Sequence, residues 1–99
     1  MKKCTVILMG KLLHNGHLMP EFKECSERAE LNSKKYGGEV VHKYMIKKNL
    51  DEGTKLDFVF VVEYPSYEDV IASHSNNEYL EIKSLRAKVF SEFSIQVVS

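Results

Sequence analysis

Residues 56–64 read Leu-Asp-Phe-Val-Phe-Val-Val-Glu-Tyr, and from Phe58 to Val62 every position is apolar. A strand built from this stretch turns apolar side chains to both faces of its sheet, so it belongs in the sheet's interior with something covering each side. Pro65 ends the run, because proline has no N–H to give to a ladder. One other run, Cys4 to Leu13 (CTVILMGKLL), is aliphatic without clean alternation and reads as a second interior strand. Two further segments alternate as edge strands do. Glu39 to Lys48 sets Val40, His42, Tyr44 and Ile46 against Val41, Lys43, Met45 and Lys47, and Glu92 to Val98 carries Phe93, Ile95 and Val97 inward.

Helical spacing fills the gaps between these strands. Pro20 suits a first turn, and Phe22, Cys25, Ala29 and Tyr36 recur on one face up to the stop at Gly37-Gly38. The outer face carries Glu24 before Arg28 and Glu30 before Lys34, each in the favourable order four residues apart. Asn49 to Lys55, with Asp51, Glu52 and Gly53, reads as a hairpin link between the second and third strands. After Pro65, Ser66 and Asp69 have the spacing of a capping box and open a short helix through Tyr67, Val70, Ile71 and His74. Ser75-Asn76-Asn77 breaks it, and Tyr79, Ile82, Leu85, Arg86 and Val89 define the next helical face. The order β-α-β-β-α-β with right-handed crossovers predicts an α+β, ferredoxin-like sandwich with the first and third strands in the middle, formed by residues 1–99 as one domain.

Composition narrows what such a domain does. Fourteen basic residues balance fourteen acidic ones in 99, which leaves no overall charge to hold nucleic acid or an anionic membrane. Cys4 and Cys25 are too few for a disulfide scaffold and lack the C-x-x-C spacing of a metal or redox pair, so a reducing, cytoplasmic setting is expected. The N-terminal apolar run is interrupted by Lys11 and is followed by no signal-cleavage pattern, and no stretch reaches the ~20 apolar residues of a membrane span. Two helices cover only one face of a four-stranded sheet, so the other apolar face needs outside cover. A second copy of the same sheet supplies it most simply, and a homodimer through the open sheet face is expected.

Few side chains carry chemistry. Glu63 is a carboxylate in an otherwise apolar strand, where desolvation would make it a general acid or base, or else it forms a structural ion pair with Arg86. His42 and Tyr44, two apart on one strand, point the same way, and the parity of the hairpin register decides whether they share a face with Glu63 or with Phe58 and Phe60. His42 is thus the second catalytic candidate, with Tyr44, His74 and Arg86 as ligand-binding candidates. His74 on its short amphipathic helix reads first as packing and second as pocket lining. His14-x-x-His17 has a two-ligand spacing, but zinc takes three or four ligands and no third is implied, so no metal is expected. Phe58 and Phe60 fail the pattern of an RNA-recognition strand, since Lys55-Leu56-Asp57 precedes them without glycine and Val61 stands where the final aromatic belongs.

Several of these segments together resemble a known family. Val61-Val62-Glu63-Tyr64-Pro65-Ser66, Glu78-Tyr79, Ile82-Lys83-Ser84-Leu85-Arg86 and the upstream Tyr36-Gly37-Gly38 are similar to the pattern of the family called domain of unknown function 1330, over roughly Phe22 to Val98. Tyr64 replaces the family's Phe, His74 takes an aromatic place, and Asn76-Asn77 replace Ser-Pro, swaps that keep a cap and a helix start. The resemblance implies a dimeric α+β barrel, similar in build to cofactor-independent oxygenases and muconolactone isomerases. From it follows the expectation of a small organic molecule between sheet and helices, acted on without a cofactor or simply bound by a non-catalytic module. Glu63 or His42 would then be the base, and Arg86 or Tyr44 would orient the substrate.

Overall fold

The structure, a computed structural model, describes residues 3–13, 19–51, 53 and 55–98. Strands β1 (Cys4–Leu12), β2 (Glu39–Met45), β3 (Phe58–Tyr64) and β4 (Phe90–Val98) form one sheet in the order β2-β3-β1-β4, with every neighbouring pair antiparallel. The two apolar runs occupy the centre, as their lack of alternation requires. β2 stops three residues short of the expected Lys48. Beyond it the Ile46 N–H donates to the Asp57 carbonyl, and the Asn49 side chain grips the backbone of Leu56 from both sides at 3.0 and 3.1 Å, so an amide side chain replaces the ladder there.

Helix α1 (Pro20–Lys35) starts on its proline and ends at Tyr36 and Gly37, whose φ of +80° and close approach to the Pro65 ring leave room for no side chain. The second crossover is split into α2 (Tyr67–Ser73) and α3 (Asn77–Val89). The Ser66 hydroxyl accepts the Asp69 N–H at 3.3 Å to open the first, and the Asn76 side chain accepts the Tyr79 N–H at 2.9 Å to open the second. Arg28 locks α1 to α3 by donating to both oxygens of Glu78, at 2.6 and 2.9 Å, and to Glu24 and Glu81. The expected Glu24–Arg28 pair is thus present, whereas Glu30 lies 3.9 Å from Lys43 of β2.

Opposed residues of an antiparallel pair send their side chains to the same side, so the register sorts the sheet into two faces. Val6, Leu8, Phe58, Phe60, Val62, Tyr64, Phe93 and Ile95 face the helices, and Val6, Val62, Tyr64 and Val70 form the buried core. Phe58 sits at the centre of an aromatic cluster, with ring centroids 5.1 Å from Phe60 and Phe90 and 5.6 Å from Phe93. Val97 keeps the predicted parity yet is 46% exposed, close to the end of the edge strand. Thr5, Ile7, Met9, Val59, Val61 and Glu63 turn to the open face, half-buried with no helix among the described residues over them.

One residue alters this sorting in β2. Val40 opposes Val62 and His42 opposes Val61, so Val41 is a bulge with no partner. The strict alternation read from the sequence would place Val40 and His42 on one side. With the extra residue, Val40 and Lys43 face the helices while His42 and Tyr44 face outward.

Candidate functional site

The helices do not seal the sheet. A cavity of about 330 Å³ lies between them and the sheet, floored by Val6, Leu8, Phe60 and Val62 and roofed by Phe22, Cys25, Ala29 and Ile82. Close-packed interiors tolerate few voids larger than a water molecule, so a space of this size is a feature of the fold. The underside of α1 makes it, since Cys25, Ser26, Ala29 and Ser33 are all small. Burial pushes the Cys25 thiol above its ordinary pKa, which keeps it protonated and inert as a nucleophile.

Polar groups converge at two places on the wall. At the first, the Tyr64 hydroxyl lies 3.1 Å from Ser33 Oγ and 3.0 Å from Ser73 Oγ, and Asn32 Nδ2 donates to the Ser73 carbonyl at 2.8 Å. Gly38 permits this arrangement, because a Cβ there would stand 2.8 Å from the Tyr64 ring. His74 joins the same wall, its ring 6.2 Å from that of Tyr64. Its Nδ1 is 2.8 Å from the Val70 carbonyl, which can only accept, so Nδ1 carries the hydrogen and Nε2 keeps a free lone pair. Burial lowers the His74 pKa; the bond to Val70 opposes that shift and the positive charge of Arg86 adds to it, which leaves the ring neutral at pH 7.

The second place is Arg86. Its Nη2 donates to the Tyr79 hydroxyl at 3.0 Å, and its guanidinium lies 4.3 Å from the centroid of Phe93 and 5.2 Å from that of Tyr79. The cavity reaches the surface between α1 and the edge strand β2, where the Glu30–Lys43 pair stands among the lining residues. The Val41 bulge is what aims Lys43 at this mouth.

Of the five residues singled out from the sequence, His74 and Arg86 line the cavity. Glu63, His42 and Tyr44 stand together on the opposite face of the sheet, opposed to Thr5, Val61 and Val59 respectively, so the register does put His42 and Glu63 on one face. The His42 and Tyr44 rings stack at 5.5 Å, with the tyrosine hydroxyl 3.3 Å from His42 Nδ1. The expected Glu63–Arg86 pairing is corrected: the sheet itself separates the two, and Arg86 is engaged by Tyr79 and Phe93. Phe58 and Phe60 lie under the helices. His14 and His17 lie outside the described residues. Among the described residues no three His, Cys, Asp or Glu side chains converge on a metal-sized point, and no helix is long and apolar enough to cross a membrane.

Sequence reading missed Tyr64, Ser33, Ser73, Asn32 and Lys43 as wall residues. Ser33 and Ser73 carried a signal, being small polar residues where their helices turn inward; Lys43 carried none, since its direction depends on the bulge.

Comparison with known proteins adds a family match and shared folds. The model of the family described as domain of unknown function 1330 matches residues 15–99. The protein of unknown function RPA0582 from Rhodopseudomonas palustris superposes with a TM-score of 0.79 at 16% identity, over 97% of this chain and 80% of that one. A dimeric protein of unknown function with a ferredoxin-like fold from Bacteroides fragilis gives 0.59 at 11% identity, over 98% and 95%. SnoaB, a cofactor-independent oxygenase from Streptomyces nogalater, gives 0.66 at 9% identity, over 100% and 95%. No curated protein matches the chain. At these identities the superpositions establish the common α+β, ferredoxin-like fold.

Proposed function

We propose that this chain, which belongs to the domain of unknown function 1330 family, binds a small organic molecule in the cavity between its helices and its sheet and works as a homodimer. The observation that carries the reading is the cavity itself. Its volume of about 330 Å³ falls in the range of ~300–1,000 Å³ usual for small-molecule sites, and its apolar walls hold a few convergent polar groups. The chemistry we assign to it is cofactor-free proton transfer, because His74 offers an uncharged nitrogen as base beside Arg86, which favours an anion formed next to it. A cofactor-independent oxygenase built on the same fold supports the cofactor-free part of that assignment. A module that binds without turning over its ligand is the competing reading.

On the dimer, support comes from the open face, where Ile7, Met9, Val59 and Val61 form an apolar band that no helix among the described residues covers. We assign His42, Tyr44 and Glu63 to that face, where they would meet the second copy.

A thermal-shift screen of small metabolites tests the cavity. A ligand at 100 times its dissociation constant adds about 2.7 kcal/mol of stability, which raises Tm by roughly 10–20 °C for a domain of this size. Ala29→Phe, which fills the cavity from its α1 wall, should abolish the rise. A broad library that leaves Tm unmoved, or ligands that stabilise Ala29→Phe equally, would overturn the reading. Conversion of a bound ligand that His74→Gln abolishes without loss of binding would separate the enzyme from the binding module.

A further inference from the structure

Resting on the small-molecule reading of the cavity, we propose that its ligand is a carboxylate on a planar, single-ring frame, recognised through the guanidinium of Arg86. The chain has two arginines, and the structure treats them oppositely. Arg28 is saturated, with three carboxylates around it on the protein's outer surface. Arg86 stands half-buried on the cavity wall, and among the described residues no carboxylate pairs with it. The remaining charges of the lining are Lys43 and Glu30, which face each other at 3.9 Å at the mouth, so the uncompensated charge inside is that of Arg86. The Tyr79 and Phe93 faces offset part of the cost of taking this cation out of water, but no carboxylate among the described residues neutralises it, which leaves that place to a ligand anion.

The guanidinium is also prepared to receive one. Phe93 beneath it and the Tyr79 hydroxyl at 3.0 Å fix its plane, and that bond occupies one of its five N–H donors. A carboxylate takes two such donors side by side, a geometry that a lysine's point charge does not reproduce. The frame follows from the walls. Four aromatic residues, Phe60, Phe90, Phe93 and Tyr79, line the space. The Tyr79 ring lies 5.0 Å from the His74 ring and 5.2 Å from the guanidinium carbon, so Arg86 and His74 are at most about 10 Å apart and a ligand with a single ring is large enough to contact both. The Nε2 lone pair of His74 then takes a hydroxyl or N–H donor at the far end of the molecule.

Calorimetric titration of the protein with 4-hydroxybenzoate, its methyl ester and phenol tests this. The acid should bind at least about tenfold more tightly than the ester, the discrimination expected of a charge-assisted pair in a partly buried site. Arg86→Met should erase that preference while still binding the ester, which shows the variant folded with its cavity intact, and Arg86→Lys should recover only part of it. Equal binding of acid and ester by the wild-type protein, or an acid preference that survives in Arg86→Met, overturns the carboxylate assignment and leaves the cavity reading standing. Absence of binding by every probe at millimolar concentration overturns both.

Discussion

His74 shows how one side chain's surroundings become a measurable property of the protein. Burial holds its pKa below the usual imidazole value, with the Val70 carbonyl opposing that effect and Arg86 reinforcing it. The unfolded chain therefore binds the proton more readily than the folded one, and stability falls as pH drops below about 6.5, levelling off once His74 itself is protonated. Urea midpoints measured between about pH 5 and 7 should decline more steeply for the wild-type protein than for His74→Gln, and parallel profiles would contradict the assignment. His74 and Arg86 were legible as candidates because each is a polar residue placed on an apolar helical face. The side taken by His42 was not legible, because it depends on whether Val41 is inserted into the ladder or paired within it. No glycine or proline marks that position, and a valine that pairs looks the same in sequence as one that bulges.

Elements were read more reliably than side-chain directions, for the reason that caps and breakers act locally. Ser66 and Asp69, Pro20, and Gly37 all sit where their chemistry places a helix boundary. The junction of α2 and α3 rests on Asn76. Its Oδ1 caps α3 while its Nδ2 donates to the carbonyls of Ala72 at 3.0 Å and Ser73 at 3.2 Å, so one amide ends the first helix and begins the second. Asn76→Ala should destabilise the protein by roughly 1–2 kcal/mol, the upper part of the range for a lost N-cap. Asn76→Asp should keep the cap and lose the two donated bonds, falling between the two in a chemical denaturation series. An alanine variant as stable as the wild type would mean that the junction is held by packing alone. The shortened end of β2 is what local signals could not give, since the Asn49 side chain that closes the loop onto Leu56 replaces backbone pairing with a contact seven residues away.

At the level of the whole molecule, the two faces of the sheet divide the labour. One is hidden under helices and encloses the cavity; the other presents Ile7, Met9, Val59 and Val61, flanked by a Tyr44 that is 53% exposed. A stable pair of subunits buries ~1,200–2,000 Å² in all, and the apolar centre of such a contact is where a charge does most harm. On the dimeric reading, Val61→Glu should yield a monomer by light scattering at micromolar concentration, while the conservative Val61→Ile leaves the assembly intact. A wild-type protein that is monomeric when dilute would remove the basis for that expectation. The ordering of strands was readable from the sequence because a run apolar on both sides has only one place to go, whereas the size of the cavity was not, since Cys25 and Ala29 read as inward-facing without showing that they leave the space beneath them unfilled. The irregular Val41 also affects what this molecule avoids. A flat, unbroken outer strand offers its free N–H and C=O groups to any passing chain, and a kinked one carrying a lysine is a poor template for such growth. The same extra residue that turns Lys43 towards the cavity mouth therefore protects the sheet's rim against fibrillar stacking.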